Sequence, residues 1–85
     1  MKVKISPEWF REKIIRNETG EVREQREYEY RILEEHGFIC EFQFEVRARG
    51  SNELLGVRVG LFDPRLYRNK LYMTPSVGNY EIIEQ

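Results

Sequence analysis

The sequence predicts an α+β fold, with one or two N-terminal helices packed on an antiparallel sheet of about three to five strands. Residues 38–48 alternate apolar and polar side chains without a break, and a second alternating run follows at 54–62. A turn-forming Arg49-Gly50-Ser51-Asn52-Glu53 separates the two, and Ser6-Pro7-Glu8 marks a helix start ahead of both. Alternation sends successive side chains to opposite faces of a pleated ribbon, so each run reads as a half-buried strand. The expected order is β-α-α-β-β-β-β within one domain, 1–85.

Val3 and Ile5 alternate with Lys2 and Lys4 in a short first strand. Ser6 then supplies a hydroxyl cap, Pro7 sits where its missing N–H is harmless, and Glu8 complements the helix dipole. Phe10 and Ile14 share a face, widened by Trp9 and Ile15, and Thr19-Gly20 is the expected end of that helix. Residues 21–36 favour helix by propensity, by Arg–Glu pairs four apart and by a Glu-Glu-His-Gly ending. Tyr28, Tyr30 and Ile32 alternate as in a strand, which makes strand the alternative over 21–36.

Phe38, Cys40, Phe42, Phe44, Val46 and Ala48 are the expected inward set of the central strand. Leu55, Val57, Val59 and Leu61 are the inward set of the next. Even numbers before the turn and odd numbers after it demand an odd index sum. A two-residue Ser51-Asn52 loop meets this, setting Phe44 against Val59, Phe42 against Leu61 and Glu45 against Arg58. Asp63-Pro64 starts a turn with a short helical turn through Tyr67. Leu71–Met73 and Tyr80–Ile83 are two further strands joined by a loop containing Pro75.

Cys40 is the only cysteine, so no disulfide can staple the chain, and a reducing, cytoplasmic setting is expected. No apolar run is long enough for a bilayer, and no membrane contact is expected. Net charge is −1, but residues 18–45 are strongly acidic while the segments on either side are basic. Such patterning suits a self-complementary surface, and a small unstapled sheet gains burial by pairing. The expected partner is therefore a protein, with a homodimer as the simplest case.

Catalytic constellations are thin. His36 and Asp63 are the only histidine and aspartate, and both sit at element ends, as do Ser6, Ser51 and Ser76. Cys40 and His36 are four apart, but Cys40 points with the phenylalanines, where a thiolate would be poorly solvated. One Cys and one His make no structural zinc site, and no glycine-rich phosphate loop is present. Neither enzyme activity, metal nor cofactor is expected.

What remains is recognition. Trp9, Tyr28, Tyr30, Phe62, Tyr67, Tyr72 and Tyr80 exceed what one sheet face can bury, and Arg58 lies between Gly56 and Gly60 on a wet face. Aromatic rings and arginine are favoured at protein interfaces, which makes these eight the interface candidates of a non-enzymatic self-association or adaptor module. The bare backbone at Gly56 and Gly60 would let another backbone or a flat ligand approach. The alternative is a nucleic-acid contact through Arg65, Tyr67, Arg68, Lys70 and Tyr72, where cations meet phosphate and rings stack on bases.

Overall fold

The computed structural model describes all 85 residues and shows an α+β fold with one five-stranded antiparallel sheet. Strand β1 spans Lys2–Ile5, β2 Ile39–Arg47, β3 Leu54–Phe62, β4 Lys70–Met73 and β5 Tyr80–Glu84. The spatial order is β4-β3-β2-β1-β5. Helix α1 covers Pro7–Phe10 and continues as a π-turn through Ile15, and α2 covers Gly20–Glu35.

Ser6 caps α1, its hydroxyl accepting from the Trp9 N–H at 3.1 Å. The helix overwinds into a wide turn, with the Arg16 N–H donating to the Arg11 carbonyl. This brings Phe10 and Ile15, both fully buried, onto the core side. Gly20 is left-handed as its residue type suggests (φ +61°), but it opens α2 instead of closing α1. Residues 21–36 resolve as helix. The helix ends in a Schellman motif, the Phe38 N–H donating to Leu33 O and the Gly37 N–H to Glu34 O. Phe38 is thus left-handed (φ +61°) and precedes β2, where alternation had made it the first strand residue.

Only the C-terminal half of α2 meets the core, through Ile32, Leu33 and Tyr30. Tyr30 packs between Phe10 and Phe38 with ring centroids 6.0 and 5.3 Å away, and the Arg11 guanidinium lies over its outer face. Val3, Ile5, Cys40, Val57, Val59, Leu61 and Met73 form the sheet side of that core. Buried Glu29 is neutralised by Arg26 at 2.7 Å.

The β2–β3 register departs from the expected one. Phe42 lies opposite Val59, and beyond it an irregularity at Gln43 sets Phe44 opposite Arg58 and Glu45 opposite Val57. One extra residue reverses the facing of everything after it. Phe44, expected inside, is therefore 52 % exposed on the outer face. Leu55 is also exposed, and Glu45 bonds Arg47, not Arg58. The turn is longer and centred one residue earlier, closed by Ala48 N–H to Glu53 O and Asn52 N–H to Ala48 O.

The last two strands lie on opposite edges of the sheet. After β4 the chain stays beside β3, with Ser76 bridging Gly56, and by Tyr80 it has reached Ile5 on β1. Gly56 is level with Val46, while Ile5 continues the register that pairs Lys4 with Ile39. In a flat sheet those levels would stand about 25 Å apart along the strands, yet four residues reach about 14 Å at most. The sheet is accordingly coiled, with its inner face wrapped on the core and the bulge at Gln43 sharpening the bend. No helix is long and apolar enough to cross a membrane.

Candidate interaction surface

The outer face of the sheet carries an aromatic cluster built around one cation. Arg58 on β3 sits with its guanidinium 4.3 Å from the Tyr72 ring centroid and 5.8 Å from that of Phe44. Phe62 meets Tyr72 edge-on at 6.2 Å, and the Lys70 ammonium lies 5.5 Å from the Tyr72 ring. Three strands supply these groups: β2 gives Phe44, β3 gives Arg58 and Phe62, and β4 gives Lys70 and Tyr72. Phe44 and Phe62 are each about half exposed and Tyr72 somewhat less. None of the eight ion pairs in the chain uses Arg58 or Lys70, so both cations keep their charge for an outside group. Rings pre-order the arginine without neutralising it.

Glycines shape the patch in two ways. A Cβ at Gly60 would stand 3.1 Å from atoms of both the Phe62 and Tyr72 rings, so those rings lie over bare backbone. A Cβ at Gly56 would run into the Pro75 carbonyl and come within 3.0 Å of the Ser76 Cα. The bare patch expected beside Arg58 is therefore already filled at both ends. At Gly56 the approaching backbone is the chain's own, and at Gly60 the cover is aromatic.

The remaining interface candidates scatter. Trp9 is a core residue, 9 % exposed, because the start of α1 presses it inward, and this corrects its assignment to the surface. Tyr30 and Tyr80 pack against the core edge. Tyr28 lies on α2, and Tyr67, 76 % exposed, on the loop before β4, so neither joins the cluster. Arg58, Phe62 and Tyr72 do come together, and Phe44 was missed because alternation assigned it to the core.

The basic segment is only partly free. Arg65 donates through Nε and both terminal nitrogens to Asp63 and Glu35, at 2.9–3.0 Å. That closes it as a phosphate ligand. Arg68 leans on Tyr67 at 5.5 Å, and Lys70 and Tyr72 belong to the outer-face cluster.

Asp63 is the centre of the one polar network at an element junction. It accepts from the Arg65 N–H and side chain and stands 2.9 Å from His36 Nε2. The Arg65 guanidinium first, then His36, hold its carboxyl well below the usual range, and the same contacts raise Arg65. This ties the end of α2 to the end of β3. Cys40 is inert by comparison: burial pushes its thiol up to about 12. No group of three metal-ligating side chains converges anywhere.

Compared with protein-family models, curated proteins and solved structures, the chain matches none of them.

Proposed function

We propose that the chain is a non-enzymatic protein-interaction module, adaptor or regulatory in kind, whose working surface is the outer face of the sheet. The observation that carries this is Arg58: an arginine held between two exposed rings, with no carboxylate of its own. Arginine framed by aromatics is the composition of interface hot spots, where a fully desolvated anchor is ringed by apolar contact. A partner fitting it presents a carboxylate for Arg58 and apolar side chains for Phe44 and Phe62.

Affinity capture from the native host tests the reading. Wild-type chain should retain a partner that Arg58→Glu loses and Tyr28→Ala keeps. A partner held equally by Arg58→Glu would overturn it.

A second reading is favoured by Tyr67, Arg68 and Lys70, which leave one exposed ring and two unpaired cations beside Tyr72. These suit unpaired nucleic acid, cations meeting phosphate and rings meeting bases. Binding of a fluorescent single-stranded oligonucleotide should then fall steeply with salt and weaken on Arg68→Ala or Lys70→Ala. No binding at low salt would remove this reading.

A further inference from the structure

Two edges of the sheet are open, and they complement one another. Beyond β4 the chain keeps pairing with β3: the Asp63 N–H donates to Asn69 O, the Val57 N–H to Pro75 O and the Val77 N–H to Leu55 O. These bonds share one register with the pairs Leu61–Leu71 and Val59–Met73. Antiparallel ladders alternate, so Lys70, Tyr72 and Thr74 turn their backbone N–H and C=O away from β3, toward the free edge. On the other edge the Ser6 N–H donates to Asn79 O, and Lys4–Glu81 continues that register. Tyr80 and Ile82 therefore present their backbone groups outward from β5.

The side chains beside these edges are opposite in character. Next to β4 runs a cavity of about 380 Å³, with Phe10, Ile14, Leu71 and Met73 in its wall and Lys13 at its rim. β5 carries Glu81 and Glu84, with Ile82 and Ile83 both exposed, at 41 % and 42 %. No ion pair within the chain uses Lys13, Lys70, Glu81 or Glu84. An extended basic edge next to an apolar cavity thus faces an extended, acidic, apolar edge.

We propose that copies of this chain assemble head to tail, β5 of one copy adding as a sixth strand to the β4 edge of the next. Placing Tyr72 against the partner's Ile82 satisfies the outward backbone groups of both strands and fixes the rest. Lys70 then faces the partner's Glu84, Thr74 faces the partner's Tyr80, and Leu71 faces the partner's Ile83. Directly opposed residues share a side of the sheet, so the partner's Ile83 falls on the cavity side and the partner's Ile82 beside Tyr72. Main-chain bonds supply the affinity, and the cavity and the charges set register and direction. Because the two edges differ, the contact is heterologous and leaves one edge of each kind free at the ends. The inference deepens the protein-contact reading and names a second copy as one partner.

Sedimentation velocity on the purified chain at tens of micromolar is the test. Thr74→Pro and Ile82→Pro each delete one outward N–H and no backbone bond within the chain, and circular dichroism confirms that each variant folds. Wild type should sediment above monomer in a concentration-dependent way, each variant should be monomeric, and a 1:1 mixture of the two should form a dimer through the edges left intact. Lys70→Glu and Glu84→Lys should each weaken assembly, and the double exchange should restore it. A monomeric wild type, a variant that assembles alone, or a mixture that stays monomeric would overturn the proposal. No foreign partner is present in this experiment, so failure of the outer-face reading leaves its result standing.

Discussion

Replacing Gly56 with alanine should be severe, and replacing Gly60 mild, although both glycines occupy the same face of β3. At Gly56 the new methyl meets the backbone of Pro75 and Ser76, which cannot rotate away. Strand β3 and the 75–77 segment must separate, straining the Val57–Pro75 and Val77–Leu55 hydrogen bonds of 3.2 and 3.0 Å. Losing both costs about 2 kcal/mol at roughly 1 each, and overpacking adds about 1–3 kcal/mol. The reduced entropy of the unfolded chain returns about 0.4–1 kcal/mol. The net is about 2–4 kcal/mol, a large share of a domain stability that scales at roughly 0.05–0.15 kcal/mol per residue. At about 4–8 °C per kcal/mol for a chain of this size, Tm should fall by roughly 10–25 °C. At Gly60 the neighbours are the outer ends of two half-exposed rings, which can tilt, so the change should stay within about 1 kcal/mol. Thermal and urea unfolding followed by circular dichroism reads both. Equal effects at the two positions would refute the close backbone approach, and with it the path of the chain between β4 and β5.

Three further outcomes are expected. Leu33→Ala, in the core, should cost about 2–5 kcal/mol, while Phe44→Ala, on the outer face, should cost less than about 1 kcal/mol, as urea unfolding would show. Cys40 stays protonated in the fold to about 12. The unfolded thiol ionises near 8.5, so stability should fall above that pH by about 1.4 kcal/mol per unit, and Cys40→Ala should abolish the slope. Asp63 is held below its ordinary value, so its contribution is complete above about pH 4 and is lost as pH falls below that. The stability gap between wild type and Asp63→Asn should accordingly be wide at pH 7 and close in acid.

Local chemistry was the legible part of this sequence. Ser6-Pro7 capped a helix, Glu-Glu-His-Gly ended one, and Val57, Val59 and Leu61 filled the core as their alternation implies. Residues 21–36 stayed ambiguous because α2 touches the core with only its C-terminal half, which leaves little amphipathic pattern. The reversal at Gln43 left no trace, since Phe44 is as apolar as Phe42, and only the pairing with β3 shows which of them turns outward. The Asp63–His36–Arg65–Glu35 network joins residues up to 30 apart in sequence, beyond any local pattern. The outer-face cluster was half visible: Arg58, Phe62 and Tyr72 stood out by type, but their convergence with Phe44 depends on the bulge and on the placement of β4 beside β3.

A photo-crosslinking amino acid placed in turn at positions 44, 72 and 28 would locate the contact surface directly, with the chain expressed in its native host. Adducts from positions 44 and 72, and none from 28, are the result expected if the outer face of the sheet is where this protein meets its partners. Adducts from position 28 alone would place recognition on α2 and contradict it.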